Sequence, residues 1–238
     1  MISAEELFLL ASCDKQVSAL SLKSKTELTD LLGKYFAEMK NYEQKNPHHC
    51  YDLLSHTIHT VLAISKNNLS EKDFLCLRIA ALFHDIGKPE VAFWKNDRLV
   101  FYGHAVKSSE IAFDSLCEIG LKQQEIKKIC FFIKHHDDFI SFKREDEYVD
   151  DGNPYIKLIS RDNIISKLKN IREKSAEFHE YIPDIEDFKL LISLCQADVT
   201  AQKEVVIQNK SIIDSKENKI KRFEAIIKCL GFGGLIWK

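Results

Sequence analysis

Glycine and proline are scarce, 8 and 4 in 238 residues, too few for a turn-rich all-β fold or a disordered chain. No apolar run approaches the roughly 18 residues that a membrane-spanning helix needs. The N-terminus lacks a basic region followed by a long apolar stretch, so no secretory signal is expected. Excess charge of one sign is missing as well: 34 Lys+Arg against 36 Asp+Glu leave a net charge of −2. That balance argues against binding of long nucleic acid or a membrane surface by the chain as a whole. There is no CxxC pair. Cys13, Cys50, Cys76, Cys117, Cys130, Cys195 and Cys229 are odd in number and scattered, the pattern of reduced thiols used as small core residues in a cytoplasmic protein. A chain of this length buries about 70% of its unfolded surface and needs no covalent staples. The expectation is a soluble, cytoplasmic, mostly helical protein.

The apolar pattern supports this. Ser3-Ala-Glu-Glu6 has capping-box spacing before an apolar run, and a second helix is expected from about Thr26 to Asn46. A helix from Cys50 to about Lys66 puts Leu54, Ile58, Val61 and Leu62 on one face. Another starts at Ser70, and between Phe74 and Phe83 only Arg78 is charged, which marks a buried central helix. It is expected to stop at Gly87, with Pro89 beyond. Residues 91–102 read as a small β-hairpin. Helical periodicity returns over His104–Ile119, Lys122–His136, 158–179, 184–208 and 215–229. The acidic and basic stretch 141–155 reads as a solvated loop, and the tail from Gly231 is too short to classify. The fold class is all-α, a helical bundle with one small hairpin near 91–102. Residues 1–45 are expected to be a helical extension packed on a domain spanning 46–238.

Chemistry enters with the histidines. His84 and Asp85 end the buried helix, and burying an imidazole beside a carboxylate is costly unless the pair is hydrogen-bonded or holds a metal. Asp198 continues an apolar stripe with Leu191, Leu194 and Cys195, so it needs a partner, and a cation is a good one. His104 opens a helix; His135 and His136 end one. Imidazole and carboxylate without cysteine suit Mn, Fe, Mg, Ni or Zn. Any one of these histidines alone is better explained by an ordinary structural role; their order and spacing together carry the metal reading. Helical periodicity places His136 rather than His135 on the stripe of Ile129 and Ile133. Asp52 and His59 flank His56 on its helix, either near the site or in solvent. His48, His49 and His179 read as structural or surface residues.

In chain order the residues are His56, His84-Asp85, His104, His135 and Asp198, with Ala80-Ala-Leu-Phe-His-Asp-Ile-Gly-Lys88 around the doublet. This resembles an HD-domain metal-dependent phosphohydrolase from about Lys45 to Gln202. Three segments resemble the HD region of bacterial CCA-adding and poly(A) polymerase-like enzymes. They are Asn46-Pro-His-His-Cys-Tyr-Asp-Leu-Leu-Ser-His56-Thr, Phe101-Tyr-Gly-His104-Ala-Val-Lys-Ser-Ser and Leu194-Cys-Gln-Ala-Asp198-Val-Thr-Ala-Gln. Residues 1–45 carry no Gly-rich strand-turn with paired aspartates, so nucleotide addition is not expected and the HD region is expected to stand alone.

The resemblance implies an HD helical bundle in which His56, His84, Asp85 and Asp198 hold one divalent ion. His104 and His135 add a second, with Asp85 bridging the two. His136 is then a neighbour contacting substrate. Lys88, three residues past Asp85, is within reach of a phosphate and would offset charge on the phosphoryl oxygens. Two divalent ions (Mn, Fe, Ni, Mg or Zn) can acidify a shared water and clamp an in-line displacement at phosphorus. The activity implied is phosphomonoester or phosphodiester hydrolysis on a phosphorylated small molecule, a nucleotide or the terminal phosphate of an RNA. Two other readings compete: a metal-containing module that binds RNA or nucleotides without turnover, and a nucleoside polyphosphate hydrolase.

Overall fold

A computed structural model describes residues 1–67, 69–140, 142–150, 152–178, 180–208 and 211–231. In chain order the elements are α1 (Ala4–Ser12), α2 (Asp14–Ala19), α3 (Lys25–Leu32), α4 (Lys34–Met39), α5 (Leu53–Ala63), α6 (Glu71–Phe83) and α7 (Lys88–Val91). Strands β1 (Phe93–Lys95) and β2 (Arg98–Val100) follow, then α8 (His104–Ile119), α9 (Gln123–His135), β3 (Glu147–Asp150) and β4 (Asn153–Ile159). The chain continues through α10 (Arg161–Glu177), α11 (Ile185–Thr200), β5 (Val205–Gln208), β6 (Ser211–Ser215) and α12 (Lys216–Gly231).

Local chemistry sets the helix starts. Ser3 and Ser24 form reciprocal capping boxes with Glu6 and Glu27, satisfying backbone donors that the first turn leaves free. Asp52 caps α5, Ser70 caps α6, and Asp184 with Asp187 closes a capping box on α11. The middle of the bundle is α6, where every residue from Cys76 to Phe83 is buried, and α1, α5, α9 and α11 pack against it. Leu7, Leu10 and Leu28 of the N-terminal helices share one apolar cluster with Leu53, Leu77 and Phe188. The C-terminal end of α6 therefore opens where α5, α8, α9 and α11 approach one another. No helix among the described residues is long and apolar enough to cross a membrane.

The helical bundle and the hairpin near 91–102 form as expected, but the structure differs from the sequence reading in several places. Gly33 at φ 90° breaks the expected helix from Thr26 into α3 and α4. The stretch 141–155 is not all loop, because β3 and β4 pair antiparallel. Tyr148, Val149, Ile156, Leu158 and Ile159 supply β-forming residues that the surrounding charge masked. The expected helix 184–208 ends at Thr200, and β5 pairs with β6. Past Thr200 the backbone joins residues 48–49 instead: Gln202 bridges to His49, and Lys203 N–H donates to His48 C=O at 3.0 Å. The seven thiols are free, but only Cys76, Cys195 and Cys229 are buried. His179 and the tail beyond Gly231 lie outside the described residues.

Gly87 serves a purpose other than the expected helix stop. Helix α6 ends four residues earlier, at Phe83, and Gly87 sits at φ −85°, which any residue adopts. What glycine supplies is proximity, since a Cβ there would lie 2.6 Å from the backbone N of Ser108 in α8. Gly87 N–H donates to Ser108 Oγ at 2.9 Å. The loop after α6 is thus held tightly against the helix that carries His104.

Candidate metal centre

Five helix ends or faces deliver the histidines and aspartates to one place. His56 comes from the middle of α5, His84 caps α6 and Asp85 follows it. His104 opens α8, His136 caps α9, and Asp198 lies on the last turn of α11. All are buried except His104, which is half-buried. Asp85 is the centre. Its Oδ2 lies 3.4 Å from His56 Nε2 and 3.1 Å from His84 Nε2, while its Oδ1 lies 3.3 Å from His104 Nε2 and 3.6 Å from His136 Nε2. Asp198 Oδ1 stands 2.9 Å from His56 Nε2 and 3.9 Å from His84 Nε2. His104 and His136 bring their Nε2 atoms to 3.2 Å from each other.

The imidazoles share one orientation. Nδ1 of His84, His104 and His136 each meets the backbone carbonyl three residues earlier, at 2.7, 2.9 and 2.6 Å, and Nδ1 of His56 meets Ala201 C=O at 3.4 Å. A carbonyl accepts only, so Nδ1 carries a proton and Nε2 is the nitrogen turned to the centre. Buried atoms without a hydrogen bond include His56 Nε2, His84 Nε2, Asp85 Oδ1 and Asp198 Oδ1. Leaving so many buried polar atoms unsatisfied is costly, and a cation between them satisfies all at once. His56, His84 and Asp85 form one group close enough to share an ion, and Asp85, His104 and His136 form another. The donor set, nitrogen and oxygen without sulfur, fits a divalent first-row metal or Mg.

Charge around the centre agrees. Burial alone would raise the Asp85 carboxyl, yet His84 and Lys88 hold it well below the usual range. Burial acts the same way on Asp198, and His56 and His84 overcome it. His56 is buried, which lowers its basicity, but Asp198 and Asp85 raise its pKa to about 9. Asp85 and Asp198 are thus held as carboxylates facing the imidazoles. Lys88, 4% exposed, sits at the edge of the centre with Nζ 2.7 Å from Asp85 Oδ2 and 2.9 Å from Gln44 Oε1. An ammonium has three donors, so a third remains for a ligand in the cleft.

One expectation changes. His135, anticipated as a ligand, turns away: its Nδ1 lies 2.6 Å from Asp138 Oδ2, and its ring packs on Phe131. The next residue, expected to be only a neighbour, occupies the position by Asp85. Adjacent helical residues point about 100° apart, so both cannot face one centre. Asp52 and His59 are elsewhere as well. Asp52 accepts from Ser55 N–H as the α5 cap, and His59 stacks on Tyr51 at 4.3 Å.

Two residues at the site were missed by sequence reasoning. Gln202 donates from Nε2 to Asp198 Oδ2 at 3.3 Å and accepts from Lys219 Nζ at 2.7 Å. This fixes Asp198 with Oδ1 turned to the histidines. The i, i+4 spacing from Asp198 was the available signal. His49, read as structural or surface, lines the cleft with its ring 5.1 Å from His56. Only the pairing with Gln202, 153 positions on, puts it there, and no local pattern reveals that. The cleft over the centre has a volume of about 520 Å³ and is walled by Asn46, Lys88, Arg98, Tyr102 and Asp137. A cavity of about 610 Å³ between α8 and α9 lies away from the histidines, and its Cys130 thiol already donates to Ser109 C=O.

A helical bundle with a buried His-Asp doublet and further histidines facing it is an arrangement that could hold metal ions. The HD domain family matches residues 53–173, and the chain belongs to that family, the metal-dependent phosphohydrolase superfamily. No curated protein matches the chain. The matched segment contains His56, His84, Asp85, His104 and His136; Asp198 lies beyond it and is returned to the site by α11.

Proposed function

We propose that the chain is a two-metal phosphoesterase acting on nucleotides or on the terminal phosphates of RNA. The observation that carries the two-metal reading is the division of Asp85, with one carboxylate oxygen facing His56 and His84 and the other facing His104 and His136. In this reading His56, His84, Asp85 and Asp198 hold one divalent ion, and Asp85, His104 and His136 hold the other. Bound ions would supply a water acidic enough to attack phosphorus at neutral pH and positive charge for the phosphoryl oxygens.

The protein's own groups do the rest. The four Nδ1 bonds keep each imidazole aimed with Nε2 toward the centre, so no reorientation is needed when ligand arrives. Lys88, braced by Asp85 and Gln44, has one donor left for a phosphoryl oxygen and offsets charge that grows as the ester bond breaks. The choice of nucleotides or RNA ends is supported by the likeness of the segments around His56, His104 and Asp198 to the HD region of CCA-adding enzymes.

The test is hydrolysis of p-nitrophenyl phosphate, bis-p-nitrophenyl phosphate and 2′,3′-cyclic nucleotides with Mn, Ni, Co or Mg added, with chelator as control. Chelator-sensitive turnover is expected, and Asp85→Ala abolishes it while the fold persists. Lys88→Ala lowers kcat by roughly 10²–10³-fold with metal still bound. Metal-replete protein that binds nucleotides or RNA ends, turns over none of these esters nor any nucleoside polyphosphate, and is indifferent to Asp85→Ala would overturn the reading.

A further inference from the structure

The hairpin beside the cleft is built in an unusual way for a surface ribbon. Strands β1 and β2 pair Phe93 with Val100, Trp94 with Leu99 and Lys95 with Arg98. Side chains alternate between the two faces of a strand, so Phe93, Lys95, Arg98 and Val100 share one face and Trp94 and Leu99 the other. The first face turns to the cleft, where Arg98, Val100 and Tyr102 line the same wall as Asp85 and Lys88. Tyr102 is 60% exposed and Phe93 45% exposed. Their rings meet edge to face at 5.6 Å, with Lys95 Nζ 5.3 Å from the Tyr102 centroid. Tyr102 is thus braced by Phe93 and Lys95 while it lines the cleft and stays largely exposed. Arg98 is exposed on the same wall.

Exposed aromatic surface costs solvation unless something covers it, and a ring braced by a cation beside a phosphate-binding centre suits a flat heterocycle attached to phosphate. We propose that this face of the hairpin reads the base of a nucleoside phosphate: Tyr102 stacks the base while the ester phosphate lies over Asp85 and Lys88, and Arg98 pairs with a second phosphate of the same ligand. The two positive side chains on the wall complement two phosphates. A cleft of about 520 Å³ holds a nucleotide-sized ligand. The second phosphate comes from one of two sources, the β-phosphate of a free nucleotide or the next phosphodiester of a single strand. This inference rests on the phosphoesterase reading for its account of the first phosphate.

The experiment measures binding and turnover separately on the full chain. Equilibrium binding to chelated and Mn-loaded protein is followed for adenosine monophosphate, adenosine diphosphate, a 5′-phosphorylated single-stranded oligoribonucleotide and glycerol phosphate. Tyr102→Ala is expected to weaken each base-bearing ligand by about 5- to 150-fold, the range for loss of one stacked base, with a much smaller effect on glycerol phosphate. Tyr102→Phe keeps the ring and restores affinity. Arg98→Ala is expected to weaken a ligand with two phosphates while sparing adenosine monophosphate. A loss confined to the diphosphate identifies a free nucleotide, and one confined to the oligonucleotide identifies a strand end. Equal loss for adenosine monophosphate and glycerol phosphate in Tyr102→Ala, no loss for any ligand, or failure of nucleotides to bind wild-type protein overturns the base wall. The expected binding pattern without hydrolysis by any metal form sustains the base wall and sinks the hydrolase instead.

Discussion

Replacing Gly87 with alanine tests how the two halves of the centre are held in register. The new Cβ would meet the backbone N of Ser108 at 2.6 Å, the Lys107 carbonyl carbon at 2.9 Å and Lys107 Cβ at 3.0 Å. Two of these neighbours are backbone atoms of α8, so no side-chain rotation relieves the contact. Reaching the 3.4 Å at which ordinary contact begins requires α8 and the loop after α6 to separate by about 0.8 Å. Overpacking of this kind costs about 1–3 kcal/mol, which in a chain of this size lowers Tm by roughly 2–12 °C. The displacement also carries His104, the first residue of α8, away from Asp85. Metal ligands tolerate only about 0.2 Å, so the ion held by His104 and His136 should weaken by about tenfold or more. An ion at His56, His84 and Asp198 should weaken less, because, of its proposed holders, only Asp85 shares the loop with Gly87. Calorimetric melting of chelated protein gives the stability cost, and titration with Mn or Ni followed by metal analysis gives each affinity. Gly120→Ala is the control. Gly120 ends α8 at φ 89° with nothing within 4 Å of a Cβ, so alanine there costs about 1 kcal/mol through backbone strain without moving His104. An unchanged Tm and two-ion binding in Gly87→Ala would refute the argument from close approach.

Two further outcomes follow from geometry. His136→Ala should reduce metal content from about two ions to about one per chain, while His135→Ala should leave it unchanged; the opposite result in metal analysis would reverse the assignment. Lys128 bridges Asp73 and Asp187 at 2.9 Å each, and Lys128→Met, which leaves a buried carboxylate without its cation, should cost about 2–4 kcal/mol at neutral pH. Burial lowers the Lys128 pKa, but Asp187 and Asp73 raise it above 10.5, so its contribution is complete below 10.5 and lost as pH climbs past the raised value. Burial raises Asp73, but Ser70 and Lys128 hold it below 3.8, so its share is present above 3.8 and lost as pH falls further. The stability gap between wild type and variant in urea unfolding should be flat between about pH 5 and 9 and close at either extreme; a gap that peaks at either extreme would contradict the network.

The central helix and the His84-Asp85 doublet were legible because burial forces a simple pattern: an apolar run all round a helix, then polar residues that need a reason. Asp198 was legible for the same cause. The choice between His135 and His136 is instructive. Periodicity put His136 on the stripe of Ile129 and Ile133, while the family resemblance put His135 at the site. The geometry agrees with periodicity, since a helix has no freedom to present both. Gln202 was not recognised although its i, i+4 spacing from Asp198 was a local signal, whereas His49 had none, because the residue that places it is 153 positions away. The hairpins at 147–159 and 205–215 were missed for a different reason. Two-stranded ribbons bury little, so their apolar alternation is weak and charge obscures it.

The residues proposed to hold the first ion are far apart in the chain. His56 on α5 and Asp198 on α11 stand 142 positions apart, so a cation gripping both would act as a cross-link that closes the segment from α5 to α11 into a ring. On chain-entropy grounds such a tether removes freedom from the unfolded state worth about 5 kcal/mol, comparable to a long-range disulfide, in a protein whose thiols are all free. The tether is complete only when the last acid arrives. Residues 53–173, the span that carries the family pattern, are synthesised before α11 and lack Asp198. Helix α11 is the clasp, and the loaded protein should resist unfolding as one unit from α5 to its C-terminal helices.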